Sequence, residues 1–313
     1  MALNQRGLNG DLRLPRTLLR ARPFFEALAQ QSPQAGEPSE KLERVVQKTG
    51  IELPSADVAQ HTHRWLEELD RHGVEKMAAF ASLPEEAAAV AEAARLAPDR
   101  LVPFSLVNPM APDAPAKVER LISELGFRGV LMFPAMHHYS IDGPEARAVF
   151  EVLEQHRAPA YVHCGLLVVK LRDILGLPRV QDIQYANPLA LIPAANAHPS
   201  IPFIIPHFGA GLFREALLAG AQCENIHVDT SSTNSWRKTQ PGNPDLSTVF
   251  ERALEVFGPE RVIFGTDSNV FPAGWRAERL AEQREAVGAL GLSEADSELI
   301  FGGNAARLIA ATS

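Results

Sequence analysis

Three side chains able to bind a divalent ion or move a proton each follow a short apolar run. His163 ends Ala160-Tyr161-Val162-His163, His207 ends Phe203-Ile204-Ile205-Pro206-His207, and Asp267 ends Val262-Ile263-Phe264-Gly265-Thr266-Asp267. A strand buried on both faces reads as such a run. In a barrel of parallel strands, residues far apart in sequence meet at the strands' C-terminal rim. Two imidazoles and a carboxylate on one rim predict a divalent metal site. Asp267 can serve there as ligand, or as a base toward a metal-activated water.

Several other residues belong to the same rim. His137 and His138, in Pro134-Ala135-Met136-His137-His138, follow the fourth strand-like run, as substrate contacts, replacement ligands or an exposed loop pair. Asp229 ends Ile226-His227-Val228-Asp229 and leads into a polar run, where it either works in the pocket or braces the rim. Trp275 and Arg276 sit in the loop after Asp267. They either close over a substrate, with the guanidinium gripping a carboxylate, or pack the loop and face solvent. Gly209-Ala210-Gly211 predicts a tight turn into a helix whose start favours anions.

The elements needed to position these groups are legible. Strands are expected over 75–82, 101–107, 128–133, 159–163, 202–207, 225–229 and 261–267, with helices between them and from 276 onward. Seven successive strand–helix units exceed an open flavodoxin-like sheet. They predict an α/β fold, a distorted (β/α)8 TIM barrel with an N-terminal helical elaboration. An eighth strand must then come from the first 60 residues, where Leu12-Arg13-Leu14 is the one modest candidate. Residues 15–31 and 38–48 read as helices. The chain is taken as a single domain over 1–313, with 1–60 as elaboration and 61–313 as main barrel. Asn304, after Gly302-Gly303, is expected to cap a helix.

Composition narrows the function classes. A net charge of −8 without a long basic run argues against a nucleic-acid surface. Apolar residues at 46% and charged residues at 22% are ordinary for a globular protein. No apolar stretch approaches the roughly 20 residues that span a bilayer, and the first residues carry no signal core. Cys164 and Cys223 make no disulfide framework. A cytoplasmic protein with reduced thiols, a small-molecule substrate and no membrane partner is the expectation.

Taken in order, Tyr161-Val162-His163-Cys164-Gly165, Ile205-Pro206-His207-Phe208-Gly209, Phe264-Gly265-Thr266-Asp267-Ser268 and Phe301-Gly302-Gly303-Asn304 resemble the amidohydrolase superfamily. Within it they are most similar to the amidohydrolase-2 group, which includes the aminocarboxymuconate-semialdehyde decarboxylase relatives. The resemblance covers about 64–310. It implies a distorted TIM barrel with a rim-mounted divalent metal, zinc by expectation with manganese or iron as alternatives, and homo-oligomers. By motif position His163 matches the strand-5 ligand, His207 the strand-6 histidine and Asp267 the strand-8 aspartate.

The resemblance implies metal-assisted hydrolysis, with metal on His163 and Asp267 activating water and His207 orienting substrate or stabilising an oxyanion. A non-oxidative carboxy-lyase of the same fold is the alternative, and a degenerate metal-free barrel serving as a binding or scaffold protein is a third reading. That third reading arises because the family's strand-1 His-x-His is missing. Residues 1–30 contain no histidine. The triplet His61-Thr62-His63 falls in a predicted helix over 57–71, which turns residues two apart about 200° from each other. The site is therefore reduced, or metal-free with these groups as acid, base and anchors, or lacks an upstream strand.

Overall fold

The computed structural model describes residues 12–232 and 234–312, with backbone alone over 12–18. Among these residues nine parallel strand segments form one sheet: β1 (Leu12–Leu18), β2 (Val74–Ala81), β3 (Leu101–Leu106), β4 (Val130–Met132), β5 (Ala160–Val162), β6 (Phe203–Ile205), β7 (Ile226–Asp229), β8 (Val262–Ile263) and β9 (Gly265–Ser268). Their order is β8-β7-β6-β5-β4-β3-β2-β1-β9. Since Phe264 alone separates β8 from β9, they act as one interrupted strand. One half pairs with β7 and the other with β1, so the two edges meet and the barrel closes.

Among the described residues fourteen α-helices accompany the strands: α1 (Arg22–Gln31), α2 (Pro38–Thr49), α3 (Val58–Arg71), α4 (Ala87–Leu96), α5 (Ala114–Ser123), α6 (Pro134–His137), α7 (Pro144–Gln155), α8 (Lys170–Ile174), α9 (Leu191–Ala197), α10 (Phe213–Gln222), α11 (Leu246–Phe257), α12 (Ala277–Gly288), α13 (Glu294–Glu298) and α14 (Asn304–Ala310). Among the described residues no helix is long and apolar enough to cross a membrane.

Period-two alternation divides the core. On β2, Ala78 and Phe80 point into the barrel, whereas Met77, Ala79 and Ala81 face the helix ring. Inside, Phe80 stacks on Phe104 at 4.6 Å, and Tyr161 meets both rings edge-on. Burying each such ring is worth roughly 2–3 kcal/mol. A satellite core joins Phe24, Phe25 and Leu28 of α1, Leu42 and Val45 of α2, and Leu175 and Leu177.

The eighth strand does come from the N-terminal region, but it extends through Leu18, so helix starts at Arg22 rather than Pro15. The pairing of β1 with β2 slips between Arg13 and Arg16, which accommodates Pro15 without a ladder donor. The first barrel strand thus lies inside the segment read as elaboration. Helix α2 starts as its sequence demands, with Pro38 at its first turn, a Glu37–Glu40 capping box and Gly50 in the left-handed region at its end. Asn304 is not a cap. A π turn at Leu299–Gly303 runs straight into α14, and buried Asn304 donates to the carbonyls of Pro259 and Val262, pinning the chain before β8.

Candidate functional site

His163 follows β5 directly, its amide continuing the ladder to the Met132 carbonyl at 2.9 Å. Its buried ring packs against Phe133 at 5.4 Å and against the His207 ring at 5.2 Å. What brings β5 and β6 so close is Gly165. Its φ is +84°, and a Cβ there would lie 2.1 Å from the Gly209 carbonyl oxygen. The amide of Leu166 then donates to the Ala210 carbonyl at 2.8 Å. Only a residue without a side chain permits this approach of two rim segments.

After β6 the chain enters the left-handed region at His207 (φ 59°) and Phe208 (φ 51°). Such conformations are uncommon for residues with side chains and cluster at functional sites. His207 Nδ1 lies 3.0 Å from the Ser231 carbonyl, which can only accept, so Nδ1 carries a proton. The Ser231 hydroxyl is also 3.0 Å from Nδ1 and donates to Asp229 Oδ1. Asp229, fully buried, accepts from the Ser231 amide at 2.8 Å as well. Asp229 therefore braces the β6 and β7 ends through Ser231 and does not line the cavity.

Asp267 lies on β9 with φ 55°. Opposite it, Arg16 pairs with Gly265 and the adjacent Thr17 with Ser268, so Thr266 and Asp267 form a bulge. Bulges re-aim side chains at barrel rims. Ser268 holds the bulge by contacting Thr266 Oγ1 at 2.7 Å and accepting from the Arg276 amide at 3.0 Å. Buried Gln283 ties Thr230 to the Gly265 carbonyl beneath it.

His163, His207, Asp267 and Arg276 line one cavity of about 610 Å³ at the barrel mouth. Its walls are apolar, from Phe24, Phe25 and Leu28 of α1, Phe133 and Met136, and Leu167, Leu171 and Ile174 around α8. The lining also contains Arg20, a residue the sequence reading passed over. Arg20 lies just past β1. Its Nη1 donates to Ser82 Oγ and sits 3.9 Å from Glu86 Oε2, and its guanidinium covers the Phe24 ring at 3.8 Å. Glu86 is fully buried and accepts from the amides of Ala21, Ser82 and Leu83. Burial raises its carboxyl above the ordinary range, while Arg20 and these donors pull the other way. The signal for Arg20 was its place after a strand candidate, where the family motif carries histidine.

The remaining candidates fall outside the lining. His137, in α6, is partly buried with Nδ1 lacking a hydrogen-bond partner among the described residues; burial, then the neighbouring His138, lowers it to about 4. Trp275 packs into the main core beside Phe264 rather than over the cavity. Its loop is placed by Glu68, which accepts from the Trp275 amide at 3.0 Å. Helix α3 separates the His61-Thr62-His63 triplet as its period requires. His63 is exposed beside Glu67, whereas His61 is buried and hydrogen-bonds the Arg20 backbone. Cys164 is buried on the outer side of β5, and burial raises its thiol to about 12. A further groove of about 820 Å³ at the opposite end of the barrel, around Lys76, Arg95 and Arg128, has none of these candidates in its lining.

A rim metal must be tested against this donor set. Two imidazoles 5.2 Å apart can share an ion. Among the described residues, however, no group of three or more His, Cys, Asp or Glu side chains is arranged to hold one. Where the family's histidine pair is expected, Arg20 brings a positive charge into the lining. The three expected ligands, His163, His207 and Asp267, share a mouth without forming a metal cage, and the residues present do not fit the ion.

A parallel barrel with its polar groups gathered at the C-terminal rim defines the class of rim-site barrel proteins. Within that class the chain belongs to the amidohydrolase family, Amidohydro_2, which it matches over residues 40–310. No curated protein matches the sequence. Among solved structures it is similar to 5-carboxyvanillate decarboxylase from Sphingomonas paucimobilis, at 16% identity over 96% of this chain and 99% of that one, with a TM-score of 0.65. It is similar to 2,6-dihydroxybenzoate decarboxylase complexed with 2,6-dihydroxybenzoate, at 20% identity over 95% and 99%, TM-score 0.60. A 5-carboxyvanillate decarboxylase from Novosphingobium aromaticivorans, complexed with manganese and 4-hydroxy-3-methoxy-5-nitrobenzoic acid, aligns at 18% identity over 97% of each chain, TM-score 0.66. At these identities the likeness establishes the fold.

Proposed function

We propose that this chain is a carboxy-lyase that releases carbon dioxide from a small carboxylated substrate with an apolar, aromatic-sized body. The observation that carries the reading is the cavity itself: apolar walls, arginines on its lining, and Asp267 and His207 beside them. The family and its decarboxylase-bearing fold neighbours support this alternative over the hydrolytic one. Zinc has no specific support, since manganese is the metal in the similar 5-carboxyvanillate decarboxylase structures.

The chemistry asks little beyond positioning and one proton. The substrate carboxylate lies against the guanidinium groups, and the apolar walls exclude water from its body. Asp267, re-aimed by its bulge, delivers a proton to the carbon bearing the carboxylate. The carbon–carbon bond then breaks, its electron pair returns to the ring and restores its π system, carbon dioxide leaves, and the Asp267 carboxylate is reprotonated from solvent. His207, held at Nδ1 by Ser231, faces the same cavity and orients the substrate body. No step here passes through a metal, because the donor set does not fit one.

The test is incubation with a panel of hydroxybenzoates, following carbon dioxide release and carboxylate loss by carbon-13 NMR. Asp267→Asn should lower turnover by about a hundredfold or more, the range for a lost general acid, with the unfolding midpoint little changed. Hydrolysis of amide or ester substrates without carbon dioxide release would return the hydrolytic reading to first place.

A further inference from the structure

The chain as a whole carries a net charge of −8. Its mouth is opposite in sign: Arg20, Lys170, Arg172 and Arg276 line the cavity, with Asp267 as the only carboxylate there among the described residues. Local reversal of charge in a low-dielectric cleft focuses the field on an incoming anion. Arg20 is also built in. Its side chain is only 15% exposed, held between Ser82, Glu86 and the face of Phe24. Its backbone is tied by the Ala21 amide to Glu86 at 3.1 Å and by the His61 ring. A guanidinium clamped this way keeps its planar fork in one place, which suits a carboxylate. The same fixed cation shares the lining with His163 and His207.

We propose that the mouth is a metal-independent anion site, in which Arg20 at the end of β1 and Arg276 after β9 take an arene carboxylate. It deepens the carboxy-lyase reading and rests on it for the substrate class. The site works by charge-assisted hydrogen bonds from arginine rather than by coordination, so its affinity survives chelation.

Binding of 2,6-dihydroxybenzoate to the full chain is measured by calorimetry in excess EDTA, with 2,6-dihydroxybenzamide as the uncharged control. Wild-type affinity should be the same within about twofold with and without EDTA, and about tenfold or more above that for the amide. Arg20→Gln alone would strand buried Glu86, so the paired Arg20→Gln/Glu86→Gln variant removes both charges together. That variant and Arg276→Gln should each weaken binding by about tenfold. Binding that appears only after manganese or zinc is added overturns the proposal. So do arginine variants that bind like wild type, or a carboxylate that binds no better than its amide. Chelator-resistant, arginine-dependent binding without carbon dioxide release supports the anion site and removes the decarboxylase reading alone.

Discussion

Mild acid should weaken this barrel well before its carboxylates protonate, because three histidines are buried in their neutral form. His61, His137 and His227 are each lowered from 6.5 to about 4, with burial the leading cause in all three. Arg64 adds to it at His61 and His138 at His137. At His227 a hydrogen bond from the ring to the Asn225 carbonyl resists the shift, and Arg307 and Arg261 reinforce it. Between about 4 and 6.5 the unfolded chain binds protons at these rings that the folded chain refuses. The stability is therefore whole above 6.5 and is lost as pH falls toward 4. Going from about pH 7 to about pH 5.5 should cost about 1 kcal/mol per ring, about 3 kcal/mol together, with half-buried His137 contributing least. Urea unfolding followed by tryptophan fluorescence at the two pH values measures it. Each single His→Gln variant should flatten the pH dependence by about 1 kcal/mol. An equal acid loss in wild type and in the triple Gln variant would refute the reasoning.

Gly165→Ala should destabilise by about 2 kcal/mol or more, because the new Cβ meets the Gly209 carbonyl and φ is left-handed; an unfolding free energy within about 0.5 kcal/mol of wild type would count against the close approach of the β5 and β6 rims. Ser231→Ala removes the hydroxyl joining Asp229 to His207. It should cost about 1–3 kcal/mol of stability and raise KM more than it lowers kcat, with Ser231→Thr restoring both; an unchanged KM would detach His207 from substrate orientation.

The strands that carry the site were legible because parallel strands covered on both faces must be apolar throughout. Hence 160–162, 203–205 and 262–263 stand out, and His163, His207 and Asp267 reach one cavity as their positions after those runs require. The helical period likewise separated His61 from His63. Other features depended on contacts that no local pattern encodes. Gly302-Gly303 reads as a turn, yet Asn304's bonds to Pro259 and Val262 carry the helix through it. Trp275 reads either as a pocket aromatic or as packing for its loop, and its place beside Phe264 decides for the core.

The first strand shows the division most clearly. Leu12-Arg13-Leu14 alternates over three residues only before Pro15 interrupts it, and the segment becomes a seven-residue strand because β2 and β9 supply ladder partners on both sides. From the sequence alone came the barrel, its order of elements, the family and the address of the rim residues, since these follow from periodicity and motif order along the chain. Only the tertiary structure placed Arg20 in the mouth and, among the described residues, left no group of three metal donors together, because both depend on which strand ends stand side by side when the barrel closes.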